Sequence, residues 1–365
     1  MHEEIVIAGF GGQGVILAEK LLCEATMNDG IVLSQSLPGV IAMDTAAYVG
    51  LRLRGIAGAL AAYIGFTLPA FLLMLALTVS YVAARSVPGV MSLMTGLQVL
   101  VVAIVANATY SFGKSVTREA RSLALAALCG VLLVAGISPF LVIVGAGVAG
   151  IVLFHGAQPP AVCAIDRHGG PAMLRKVAWL ALLPIAGMVG LFLLDRKLFG
   201  LALLMMKINV FAFGGGYTAL PLMLHEVVSV HGWMTQQTLM DGIALGQVTP
   251  GPISITATFI GYVLFSLRGA VVATVAIYTP CFLLLLAVVP YFDRLKSSAA
   301  FARASKGIAA SFVGLLLFAT VKFGSAVQWD TFKVLLAVAA LAALLRKVDI
   351  LYVVLAGAVI SVLAF

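Results

Sequence analysis

The chain has 365 residues, 62% of them hydrophobic and 10% charged, with a mean hydropathy of +1.15. An ordinary soluble domain is about 25% charged, so this composition excludes a soluble globular protein and indicates a chain that crosses a membrane several times. The net charge of +8 would suggest nucleic acid in a soluble protein. Here the basic residues fall in short clusters between apolar runs, the pattern of positive-inside topology, and no nucleic-acid partner is expected.

Residues 1–28 differ from the rest. Ile5-Val6-Ile7-Ala8 reads as a short buried strand, and Gly9-Phe10-Gly11-Gly12-Gln13-Gly14 matches GxGxxG, where glycines let the backbone approach a phosphate at a helix start. This string resembles the N-terminus of the gamma subunit of 2-oxoacid:ferredoxin oxidoreductases, over about the first 25 residues. By Leu33 the sequence is already membrane-type, which leaves no room for the further strands and helices of a nucleotide fold. The segment is expected to be a fusion remnant or an apolar piece of the bundle, and no cofactor is expected. No cleavable signal peptide is visible.

From Asp29 a repeat appears. The run from Asp29-Gly30 through Gln35 to Pro38-Gly39 pairs with the run from Asp241-Gly242 through Gln247 to Pro250-Gly251, at an offset of 212 (241 − 29). After a slip of one residue, Thr45 to Gly50 pairs with Thr256 to Gly261, Gly58-Ala59 with Gly269-Ala270, and Pro69 with Pro280. Two homologous halves are a common transporter architecture. They are expected at 29–155 and 177–365, with a connecting loop at 156–176.

The first half predicts an apolar span from Ile56 to Ala84, behind Arg52 and Arg54, and a second from Pro88 to Phe112. Leu123–Ile137 and Phe140–Phe154 are short for a roughly 30 Å hydrocarbon core and read as a tight helical pair turned at Ser138-Pro139. The second half predicts segments at Val177–Leu194, Phe199–Phe213, Gly269–Val289, Ile308–Val321, Phe332–Leu345 and Ile350–Phe365. The fold class is therefore an all-α polytopic membrane protein of about ten segments in two halves, with broken helices at the Pro-Gly motifs. The connectors from Arg294 to Lys306 and at Arg346-Lys347 are the cytoplasmic candidates. Cys23, Cys129, Cys163 and Cys281 are scattered, with no spacing for a metal or a disulfide framework.

The stretch from Phe213 to Tyr262 organises the chain. It carries Phe213-Gly214-Gly215-Gly216, a connector through Trp233, then Gly246-Gln247-Val248-Thr249-Pro250-Gly251-Pro252-Ile253-Ser254, with apolar helix-length sequence on both sides. Glycine and proline runs disfavour continuous helix. In a membrane the freed backbone groups need protein, water or a ligand, so broken segments point to a transporter's binding site.

These motifs, with Lys207, Tyr217, Pro221, Glu226, Trp233 and Asp241-Gly242, occur in the order and spacing of the chromate ion transporter family. The first-half motif, with Gln35, Pro38-Gly39, Gly50, Arg54-Gly55 and Pro69, resembles that family's other half, so the resemblance spans about 29–365. It implies a plasma (inner) membrane carrier, compatible with a homodimer, that exports chromate in competition with a sulfate-like oxyanion. Two departures stand out: Val40 rather than proline follows Gly39, and Asn209 replaces the family's usual glycine.

Burying a dianion in lipid without compensation is prohibitive, and helix N-termini supply converging N–H donors with about half a positive charge. Pro252 suits the first position of a helix, Ser254 and Thr256 would offer hydroxyls or merely cap, and Pro38-Gly39 would supply a second start. The anion is expected between these starts, with Gly214, Gly215 and Gly216 giving close approach or a hinge. Lys207 is a counter-charge or a snorkelling lysine. Gln35 and Gln247 serve the anion or the broken backbone. Asp29 and Asp241 are expected to cap helices. Asp44 is a proton-coupling carboxylate, a cap, or a partner of Arg52 or Arg54. His225, Glu226 and His231 read as solvated surface and Trp233 as an interfacial anchor.

The sequence contains no nucleophile elbow, HExxH or Walker loop, so an enzyme or ATP-driven pump is not expected, and exchange or an ion gradient is the default drive. The alternatives are a carrier for another anion or solute, a membrane-anchored redox or nucleotide-responsive protein using the N-terminal GxGxxG, and a transport-incompetent chimera.

Overall fold

The computed structural model describes residues 31, 33–34, 37–116, 119–155, 170–292 and 297–364. The GxGxxG segment, Asp29, Gln35, Cys23, Cys163 and most of the 156–176 connector lie outside the described residues. Among those described, the fold is all-α. The helices are α1 (Ile41–Ala84), α2 (Pro88–Val116), α3 (Ala120–Val134), α4 (Pro139–Leu153), α5 (Gly170–Leu194), α6 (Arg196–Phe211), α7 (Ala219–Met223), α8 (Gln236–Val248), α9 (Thr256–Val288), α10 (Ala299–Ala326), α11 (Thr331–Leu345) and α12 (Ile350–Ala364).

Local chemistry sets several boundaries. The Asp195 carboxylate accepts from the N–H groups of Lys197 and Leu198 and starts α6. Thr235 accepts from Thr238 N–H and starts α8. Ser298 and Asp330 cap α10 and α11 in the same way. Each hydroxyl or carboxylate occupies a donor that the first turn leaves unpaired. Between α3 and α4, Gly136 at φ +86 lets the chain reverse before Pro139 opens the next helix.

Five helical stretches are long and apolar enough to cross a membrane: Ile41–Ala84, Pro88–Val116, Met173–Leu194, Ile253–Tyr291 and Ala299–Ala326. Four shorter apolar helices, α3, α4, α11 and α12, accompany them. Large apolar side chains lie outside, with Leu183, Leu193 and Leu194 on α5 between 74% and 88% exposed. Water would penalise such a surface and a lipid core accepts it.

Helix α10 is the packing centre, in contact with α2, α3 and α4, while α9 packs on α6 and α1. Small residues permit the close approaches. A Cβ at Gly150 would meet Arg303 O at 2.6 Å, and one at Gly314 would meet Ala126 O at 2.6 Å. Close backbone approach supplies van der Waals contact where lipid gives no hydrophobic drive between helices.

Helices α1 and α9 are each broken. In α1 the break is at Arg54 (φ −136, ψ 24) and Gly55 (φ 64, ψ −153). In α9 it is at Phe265 (φ −140, ψ 27) and Ser266 (φ 53, ψ −147), 211 positions later. Residues eight apart on a straight helix are about 12 Å distant. Here a Cβ added at Gly50 would collide with the Gly58 carbonyl, and one at Gly261 with the Gly269 carbonyl. The chain therefore folds back sharply at each break, and glycine at both contact points makes room for the two arms.

Candidate functional site

Three interruptions of regular structure meet inside the bundle. The first is the Pro38-Gly39 turn before α1, with Gly39 at φ +138. The second is the Gly214–Gly216 turn after α6, with Gly214 at φ +81 and Gly215 at φ +110. The third is Pro250-Gly251-Pro252 before α9, with Gly251 at φ +146. All four positive-φ positions are glycines, which take this backbone without a Cβ penalty.

Contacts join the three turns. Gly39 N–H donates to Ala212 O at 3.0 Å, and Pro38 forms an antiparallel bridge with Phe213. A Cβ at Gly215 would lie 3.8 Å from Ile41 Cδ1, and one at Gly216 would lie 3.5 Å from Ile253 N and 3.8 Å from Ser254 N. The glycine turn thus sits between the two helix starts.

The second start differs in detail from the sequence expectation. Pro252 is extended (φ −75, ψ 140) and stands before a 3-10 turn, Ile253–Ile255, that leads into α9. The 3-10 turn therefore begins one residue after Pro252, and α9 itself only at Thr256. Ser254 Oγ donates to Tyr278 Oη at 3.3 Å. Thr256 Oγ1 donates to Ile253 O at 2.8 Å, so its proton serves the local turn. Gln247 ends α8 with a buried Nε2 that has no partner.

A polar group of side chains lines the first start. Tyr63 Oη donates to Tyr278 O at 2.7 Å and is 2.7 Å from Cys281 Sγ. Asn209, 2% exposed, hydrogen-bonds Cys281 while its own Oδ1 has no partner. Sequence reasoning passed over Tyr63, Tyr278 and Cys281. They stand in apolar runs, and their only signal was helical spacing from the Pro-Gly repeat.

Asp44 lies in the first turn of α1, fully buried, and neither carboxylate oxygen has a hydrogen-bond partner. It forms no ion pair with Arg52 or Arg54. Arg52 is eight residues further along the helix, stacked over the Tyr48 ring at 5.9 Å, and Arg54 is at the break.

Two polar residues depart from expectation. Asp241 does not cap α8, because the helix starts earlier at Thr235 and places Asp241 mid-helix. There it is buried and accepts from Tyr81 Oη and Gln98 Nε2, both at 2.8 Å. Glu226 is not solvated surface. It is 4% exposed within a π-helical turn, Leu224–Val230, and accepts from Lys207 Nζ at 2.8 Å. Lys207 also lies 4.0 Å from the Phe140 ring centroid. The charge of Lys207 is thus matched by Glu226 and an aromatic face. The rings of His231 and Trp233 meet at a 49° tilt with centroids 4.7 Å apart, and His231 Nδ1 is 2.9 Å from Glu226 O.

A polytopic bundle whose folded-back helices and glycine turns converge on buried polar groups has the architecture of a membrane transporter. The particular family follows from comparison: the chain belongs to the chromate transporter family, whose model, "Chromate transporter", matches residues 6–151 and 199–362. The match begins upstream of Asp29, inside the segment that resembles the oxidoreductase subunit. An uncharacterised transporter of Methanocaldococcus jannaschii is 39% identical over 350 residues, covering 96% of this chain and 87% of the relative. A chromate transport protein of Cupriavidus metallidurans is 27% identical over 373 residues, covering 99% and 88%. One of Pseudomonas aeruginosa is 29% identical over 319 residues, covering 83% and 72%. No solved structure matches the chain. These relatives are transporters rather than enzymes, and the chain is a multi-pass protein of the plasma membrane.

Proposed function

We propose that this chain is a secondary transporter that exports chromate in competition with sulfate, and that it holds the oxyanion where the three turns meet. The observation that carries this reading is the position of Gly214–Gly216 between two helix starts, against Ile41 on one side and Ile253–Ser254 on the other. Helix starts present unpaired N–H donors and a partial positive charge, the complement of a tetrahedral oxyanion, and glycines allow it to approach the backbone. The two starts are not equal. At the first, Gly39 N–H is engaged by Ala212 O and Asp44 places an acid in the opening turn. The second carries no acid in its first turn and has Gln247 Nε2 unpartnered beside it, so the oxyanion is assigned mainly to Pro250–Thr256.

The recurrence of break, glycine contact and proline at offsets of 211 and 212 supports a carrier of two related halves, 29–155 and 177–365. Lys207 belongs to the neighbouring arm rather than the first contact, since Glu226 holds it.

The test is chromate accumulation in cells expressing the chain, with and without excess sulfate, beside Gly251→Leu. Lower accumulation that sulfate relieves and Gly251→Leu abolishes is the expected result. Accumulation equal to empty vector, with the protein present in the membrane, would refute chromate export and direct the search to another anion.

A further inference from the structure

Among the described residues three acids are buried: Asp44, Glu226 and Asp241. Glu226 has Lys207, and Asp241 has Tyr81 and Gln98. Asp44, at 0% exposure, has no partner for either oxygen. A Cβ added at Gly39 would lie 2.5 Å from Asp44 Oδ2 and 2.8 Å from Cys281 Cβ. The carboxyl is therefore wedged under the Pro38-Gly39 turn, the same turn that Ala212 and Phe213 tie to the glycine segment.

The groups around it supply no positive charge. From α9, Cys281 lies beside it at the Gly39 turn, and Tyr63 of its own helix donates to the Tyr278 carbonyl and sits 2.7 Å from Cys281 Sγ. Behind these, Ser254 of the 3-10 turn donates to Tyr278 Oη and Asn209 of α6 meets Cys281. The acid of α8, Asp241, is bonded elsewhere. An ionised carboxylate without donor or counter-charge is strongly disfavoured in such surroundings, and a dianion at the neighbouring turn would repel it. A proton removes both penalties. At the matching place in the second half stands Ile255, 211 positions later, so the repeat carries this acid once.

We propose that Asp44 is a proton-binding site, protonated whenever the oxyanion occupies the pocket, so that one proton accompanies each oxyanion. The proposal rests on the oxyanion reading of the same site. The sign follows directly: occupancy is favoured at low pH and lost as pH rises through the titration of Asp44. An inward proton gradient then opposes export, while the oxyanion and its proton still carry one net negative charge, so an inside-negative membrane potential drives the pair outward.

The experiment uses the purified full chain in lipid vesicles, with chromate as probe in mildly alkaline buffer and the membrane potential clamped at zero. With the vesicle interior more alkaline than the medium, chromate is expected to accumulate about tenfold per unit of pH difference for one proton per oxyanion. Asp44→Asn should remove the gradient-driven part and Asp44→Glu should restore it. Infrared difference spectra on adding chromate should show a protonated-carboxyl band in the wild type that Asp44→Asn lacks, a readout independent of flux. Chromate uptake that ignores the proton gradient, follows a sodium gradient instead, or responds equally in Asp44→Asn overturns the coupling and leaves the transport reading standing. No chromate movement by the inserted wild type overturns the transport reading, and the coupling with it.

Discussion

Gly251 lies against Ala70: at φ +146, a Cβ added there would come within 2.7 Å of the Ala70 methyl. Gly39, 212 positions earlier, lies in the same way against Cys281, which follows Ala70 by 211 positions. Each Pro-Gly turn thus rests on the long arm of the other broken helix. Gly251→Ala should destabilise the protein by about 1–3 kcal/mol through overpacking, with added strain from the left-handed backbone. Ala70→Gly on that background should recover the packing part only. Thermal denaturation in detergent reads both, and a Gly251→Ala variant as stable as wild type would contradict the contact.

Ser266 offers the opposite test. Its φ of 53 and ψ of −147 fall where backbones are almost always glycine, and the corresponding break in α1 uses Gly55. Such a conformation costs a non-glycine residue of order 1–3 kcal/mol. Ser266→Gly should therefore stabilise the chain by about 1 kcal/mol, despite the usual entropic penalty of adding a glycine. A lower melting temperature for Ser266→Gly would mean that the serine side chain contributes more than the strain it causes.

These two positions mark what the sequence made legible. Membrane class, the helices flanking each break and the positions of the three turns follow from apolar run length and from proline and glycine, whose backbone preferences act locally. The fold-back at Phe265-Ser266 was hidden, because neither residue type signals a reversal and tertiary packing of Gly261 on Gly269 imposes it. The partners of Asp241 were also out of reach. Tyr81 and Gln98 stand 160 and 143 residues away, and an apolar helix carries no mark of its rotation against neighbours. Glu226 looked like surface because it neighbours two histidines in a polar connector, and the π-helical turn that carries it inside has no sequence signature. Asp44 stood out as an acid in an apolar stretch, but its lack of any partner is a fact of packing alone. Gln35 lies outside the described residues, so its pairing with Gln247 stays a property of the repeat.

The pair Lys207–Glu226 predicts an asymmetry. The Glu226 side chain is 5% exposed, while that of Lys207 is 44% exposed and rests on Phe140. Removing the lysine leaves a buried carboxylate with only His231 Nδ1, 3.9 Å from Oε2, beside it, whereas removing the acid leaves an ammonium that can extend to the surface. Lys207→Met should therefore cost about 3–5 kcal/mol, the range for breaking a buried pair by deleting one partner. Glu226→Gln should cost clearly less, since the amide remains a hydrogen-bonding group and the lysine stays solvated. The double variant, Lys207→Met with Glu226→Gln, should be more stable than Lys207→Met alone, because no unpaired charge remains inside. A thermal-melt double-mutant cycle in detergent measures this. Equal costs for the two single variants would show that the pair behaves as an exposed one, and that the π-helical turn does not depend on it.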